Sequence, residues 1–263
     1  MRSRRPRGAA RRLLGAWGVG FYAFLYLPLA AIVLFSFDAS PVSAFPLRGW
    51  TLRWYAQLFA DSDLLRSLWN SLQVAAAAAA GATLIGTSGA VALDRCRFPG
   101  RDLLNRLILM PIVLPGIVTG ISFLAFFSAL RWPLSLLTII VGHTTFCIPI
   151  VLTQVLARLR RFDRRTEDAA MDLYAGRART FLGVTLPALR TSILGGALLA
   201  FTLSLDEIVV TLFVTGRDNT LPLQVWAMLR RGITPEVNAV ATLVLAASTL
   251  LVVLAAARLH EGD

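Results

Sequence analysis

The chain contains no lysine. All 26 of its basic residues are arginine, which removes the residue needed by a P-loop, a Schiff-base site or a Ser-Lys dyad. If the process needs ATP, another chain must hydrolyse it. Charge of either sign is scarce: 16% of the 263 residues are charged and 56% are hydrophobic, with a mean hydropathy of +0.67. Soluble domains carry roughly a quarter charged residues, so this composition argues against a water-soluble fold. The two cysteines, Cys96 and Cys147, lie in different segments and offer neither a disulfide scaffold nor a metal or redox spacing. No repeat of 20–50 residues is evident.

What is present is apolar sequence in long runs. Six stand out, at 16–37, 70–93, 107–130, 134–157, 192–214 and 237–257, each near the roughly 20 residues that a membrane helix requires. They predict an all-α polytopic membrane protein with six transmembrane helices. The first run follows six arginines and exceeds the 7–15 residues of a signal-peptide core, so it reads as an uncleaved span. The expected organisation is a basic N-terminus (1–15), a first span (16–37), an extracytoplasmic loop (38–69), a five-helix core (70–257) and a short tail (258–263). A net charge of +11 would suit nucleic acid, but arginines interleaved with apolar runs suit a membrane surface better. Nineteen arginines fall in the segments that are cytoplasmic if the N-terminus is inside, against seven outside. The positive-inside rule therefore predicts that both termini are cytoplasmic.

Thirteen of the fifteen acidic residues lie in loops or tails; Asp206 and Glu207 fall inside an apolar run. An acid at mid-membrane costs roughly 2.5–3.5 kcal/mol on insertion scales and is functional by default. Neighbours on a helix point about 100° apart, so one is expected to face a pathway and the other a neighbouring helix or arginine. Asp206 is the first candidate for a cation or proton contact, with Ser204 near enough to hydrogen-bond there. The plainer alternative is an ion pair between helices. His143 is the lone histidine inside a run and reads as a hydrogen-bonded structural residue. The segment from Trp50 to Phe59 clusters aromatic residues, an interfacial belt or, at Trp54, a ring face for a cationic solute. Prolines 111, 115 and 149 are expected to kink their helices, and Gly81, Gly86 and Gly89 to bring helices close.

Between the fourth and fifth runs lies a loop of distinct organisation, about 158–190. Asp163 is placed to cap a short helix whose first turn holds Glu167 and Asp168. Ala169, Ala170 and Leu173 give that helix a small apolar surface shaped for a partner's groove, ended near Ala175-Gly176. The run Asp168-Ala169-Ala170, followed at a distance by Leu186-Pro187, resembles the Glu-Ala-Ala coupling loop of binding-protein-dependent ABC importer permeases. Two positions depart: Asp168 stands for the usual glutamate and Tyr174 for the usual glycine, with Gly176 two places late. The segments His143–Pro149, Phe201–Glu207 and Thr234–Thr242 are similar to the permease subunits of spermidine/putrescine importers, the second permease of such pairs in particular. One departure is Gly116, where an acid commonly follows the proline of the third span in that subgroup.

That resemblance implies a type I importer fold in the bacterial cytoplasmic (inner) membrane. It implies a second permease subunit, two cytoplasmic ABC ATPases carrying ATP and Mg, and an extracytoplasmic solute-binding protein. It assigns ATPase coupling to Asp168, Ala169, Ala170, Leu173, Tyr174, Gly176, Leu186 and Pro187, and no catalysis or cofactor to this chain. The solute path would use Asp206, Glu207, Ser204 and Trp54. A secondary cation transporter would more often carry several membrane acids and an inverted repeat, and neither is seen. A membrane enzyme would need a reactive constellation that one histidine and one acidic pair do not assemble.

Overall fold

The computed structural model describes residues 8–42, 44–173, 176–232 and 234–260, with side chains described from 12 to 250 within those. Among the described residues the regular structure is helical, with one isolated antiparallel bridge between Asp38 and Trp50. The helices are α1 (Gly8–Phe35), α2 (Arg53–Ala60), α3 (Ser62–Arg95), α4 (Arg101–Val113), α5 (Gly116–Ala129) and α6 (Leu136–Leu159). They continue as α7 (Arg165–Asp172), α8 (Arg177–Thr180), α9 (Leu186–Leu205), α10 (Val209–Val214), α11 (Leu221–Arg231) and α12 (Pro235–His260). A five-residue π-helical turn, Phe181–Thr185, joins α8 to α9.

Four stretches are each long and apolar enough to cross a membrane: α1, α3, α6 and the continuous run Arg177–Leu205. The pair α4 and α5 is apolar enough to count as a fifth when taken together, and is bent by 109° at the break between them. The described apolar part of α12 is Pro235–Leu250. Two of the expected spans are thereby corrected. The run 107–130 is two helices, because Pro115 has no N–H to continue α4 and its ring pushes Leu114 into extended backbone (ψ 139°). By contrast α4 continues through Pro111 and α6 through Pro149. The run 192–214 is also two helices: α9 ends at Leu205, and three residues separate it from α10. There Asp206 is a poor helix former, and the Glu207 carboxylate caps the start of α10 rather than extending α9.

The chain divides into two compact units, Arg66–Gln224 and Met1–Leu65 with Val225–Asp263. In the second of these, α1 packs on α12 and α12 on α2. The connection from α1 to α2 is pinned by Asp38, whose Oδ1 accepts the N–H groups of Ser40 and Arg48, each at 3.1 Å. In the larger unit α6 lies between α3 and α9, and the buried side chains of all three form one apolar cluster from Ala79 to Ala200. Gly86 allows that approach. A Cβ there would stand 2.9 Å from both the Ile148 carbonyl and the Val151 Cβ, so any side chain would push the helices apart. A second cluster, Val74, Phe127, Ile139, Val210 and Val214, joins α3, α5, α6 and α10.

Candidate functional site

The helix break at 206–208 is built by groups that end one helix and begin another. Asp206 caps the C-terminus of α9, its N–H donating to Thr202 O at 3.3 Å. Its carboxylate is exposed and has no hydrogen-bond or ion-pair partner among the described residues. Glu207 is half-buried instead: its Oε1 accepts the Val210 N–H at 2.8 Å, supplying an acceptor for one of the N–H donors that the first turn of α10 leaves open. The two acids are thus divided between an exposed carboxylate and a helix cap. Among the described residues neither pairs with an arginine.

His143, fully buried on α6, holds both sides of the break. The Thr211 hydroxyl is hydrogen-bonded to Glu207 O at 3.1 Å and to His143 Nε2 at 2.9 Å. On its other side the ring is hydrogen-bonded through Nδ1 to the Ser204 hydroxyl at 2.8 Å. Ser204, expected beside Asp206 as a polar contact, is instead buried and committed to His143. At the other end of α10 the Thr138 hydroxyl lies within hydrogen-bond distance of both Val214 O, at 2.8 Å, and Ser135 O, at 2.7 Å. Gly116, at the start of α5, lies against this break: a Cβ there would sit 3.5 Å from the Val209 side chain.

Trp54 belongs to the other unit. The sequence leaves it either in an interfacial belt or as a ring face for a cationic solute. Trp54 is buried, its indole N–H donates to Asp38 O at 2.7 Å, and the Arg53 guanidinium lies 4.5 Å from the ring centroid. The ring already packs against a cation of the same chain, which removes the reason to assign it an external one.

The loop after α6 carries the other candidate surface. Asp163 accepts the Arg165 N–H at 3.0 Å in the turn that leads into α7, whose N-cap position is Arg164. Asp168, Ala169 and Leu173 are exposed, Leu173 at 82%, and Ala170 is half-buried. Gly176 caps α8, and Leu186 and Pro187 open α9; Tyr174 lies outside the described residues. The buried acid of the helix is Glu167, one place before the Asp168 of the sequence pattern. Its Oε1 accepts from both Arg95, at the end of α3, and Thr185, in the π-helical turn. Beside it Arg164 is paired with Asp94 at 2.7 Å. Burial would raise the Glu167 pKa, but the hydrogen bonds from Arg95 and Thr185 and the charges of Arg95 and Arg164 outweigh it and hold the carboxyl below the usual range. Glu167 was visible in the sequence only as an acid at a helix N-terminus. Its partner Arg95 is 72 residues away, and no local signal connects them.

Residues 82–261 match the family of binding-protein-dependent transport system inner membrane components. The chain is 42% identical over 234 residues to the putrescine transport system permease protein PotI of Escherichia coli, covering 86% of this chain and 83% of that one. It is 37% identical over 244 residues to the spermidine/putrescine transport system permease protein PotC of the same organism, covering 92% of each. Among solved structures, a chain of a bacterial ABC transporter involved in the import of the acidic polysaccharide alginate shares the fold. The TM-score is 0.71 at 16% identity, over 98% of this chain and 99% of that one.

Proposed function

This chain belongs to the family of binding-protein-dependent transport system inner membrane components, and from that membership we propose that it is one permease subunit of an ATP-driven importer of putrescine or spermidine. The observation that carries the substrate class is the identity of 42% and 37% to two polyamine permeases over most of the chain. A cationic solute is also what an exposed, unpartnered carboxylate at a helix break would attract. The C-terminal end of α9, with its free carbonyls, adds negative potential at the same place. In this reading Asp206 is the solute contact and Glu207 maintains the break that presents it.

The chain works with a second permease subunit, two cytoplasmic ABC ATPases that bind ATP and Mg, and an extracytoplasmic binding protein that delivers the solute. It needs no cofactor of its own. Both termini are cytoplasmic, and the exposed Asp168, Ala169 and Leu173 of α7 dock on an ATPase. Closure of the ATPases moves α7, and the path through the membrane opens alternately to each side.

The testing experiment is uptake of labelled putrescine by vesicles holding the complete transporter. Asp206→Asn is expected to lower uptake at least tenfold while leaving ATPase association unchanged, and Asp168→Arg to release the ATPase. Uptake that persists without ATPase or binding protein would overturn the importer reading. Full uptake by the Asp206→Asn variant would remove that residue from the path. Transport of a different solute by the intact complex would overturn the polyamine assignment alone, the one to which Gly116 is the stated exception.

A further inference from the structure

α7 is eight residues long with a largely exposed surface. A helix this short is not stable alone in water, and α7 has little apolar area with which to hold its place. What holds it is polar and directional: Glu167 to Arg95 and Thr185, and Arg164 to Asp94. Both α3 partners lie in the last turn of that helix. Such contacts resist sliding and rotation together, where an apolar face would permit either.

The far end of α3 carries a second polar clamp. The Asn70 side-chain amide donates to Asn219 O at 3.0 Å, and Ser71 Oγ accepts the Leu221 N–H at 2.7 Å. Both side chains are buried. They grip the loop between α10 and α11, whose other edge, Val214 O, is held by Thr138. Between Ser71 and Arg95 the helix is unbroken, which at 1.5 Å per residue spans about 36 Å. The alanine run Ala75–Ala80 lies within it, with neither proline nor bulge to absorb a displacement.

We propose that α3 is a rigid strut that carries the movement of α7 across the membrane to the loop 215–220, through the Arg95–Glu167 clamp at one end and the Asn70–Asn219 clamp at the other. This rests on the importer reading, in which α7 receives the movement of the ATPase. Glu167, Arg95 and Asn70 are positioning residues: they touch neither solute nor nucleotide. The strut makes the outer loop follow the ATPase without a contact between them.

The test uses the complete transporter in vesicles, with putrescine as the solute. Three quantities are read: retention of the ATPase on purification, ATP hydrolysis stimulated by the binding protein, and solute moved per ATP. Glu167→Gln and Asn70→Ala should each retain the ATPase. Each should lower solute per ATP roughly threefold to thirtyfold, the range for residues that couple distant sites. The double variant should be no worse than the poorer single one, since either break interrupts the same strut. The exchanged pair Arg95→Glu with Glu167→Arg should recover at least half of the loss.

An unchanged ratio in Glu167→Gln, additive losses in the double variant, or loss of the ATPase from Glu167→Gln alone would each overturn the strut. If Glu167→Gln does not reach the membrane, Arg95→Gln, which breaks the same clamp from the α3 side, decides by the same ratio, a fall supporting the strut and no change overturning it. Failure of the wild-type complex to show ATP-dependent uptake would instead defeat the importer reading, and is distinguishable because it precedes any substitution.

Discussion

Glu167 keeps its charge although it is buried, because Arg95 and Thr185 hydrogen-bond it and Arg95 and Arg164 face it with positive charge. Its pKa is depressed by folding, so its stabilising effect is complete above the ordinary glutamate range. That effect is lost as pH falls through the lowered value. Thermal unfolding of wild type and Glu167→Gln in detergent should therefore differ at neutral pH and converge in acid; a difference that grows in acid would contradict the sign. A second residue-scale prediction concerns glycine. A Cβ on Gly216 would stand 2.2 Å from the Leu134 carbonyl, a backbone atom that cannot swing away, whereas one on Gly176 would meet nothing within 4 Å. Gly216→Ala should cost about 2 kcal/mol or more by overpacking, and Gly176→Ala less than about 0.5 kcal/mol. Equal shifts in melting temperature for the two would refute the comparison.

At the scale of elements, the six apolar runs and the short helix that begins just after Asp163 were readable because hydropathy and helix starts are local properties of sequence. The two breaks were only half readable. Pro115 marks where α4 must stop, but not that α5 departs at 109°, since that angle depends on what α5 packs against. The break at 206–208 has no proline. It is held by His143, Thr138 and Glu207 through hydrogen bonds reaching up to 76 residues along the chain. His143→Ala should remove the ring partner of the Ser204 and Thr211 hydroxyls, leaving Thr211 only its bond to Glu207 O, and destabilise the larger unit by about 1–3 kcal/mol. Asp206→Asn, exposed and without a partner, should change stability by less than about 0.5 kcal/mol. Measuring both melting temperatures separates the residue that holds the break from the one that the break presents.

For the whole molecule, the placement of the arginines predicts an orientation with both termini cytoplasmic. Cys96 is exposed at the end of α3 and Cys147 is buried, so the native cysteines report the sidedness directly. A membrane-impermeant maleimide should label Cys96 in inside-out vesicles and leave right-side-out vesicles unlabelled; the opposite pattern would reverse the topology.

Composition and pattern alone determined the membrane class, the apolar runs and the loop that carries the family resemblance. These quantities add up along the chain and need no partner in space. Only the tertiary structure decided that Glu167 rather than Asp168 is the buried anchor of α7, that Ser204 serves His143, and that Trp54 is enclosed. Each of those outcomes depends on which helices lie side by side. Packing sets that adjacency among residues far apart in the chain, and a local reading of sequence contains no distance between them.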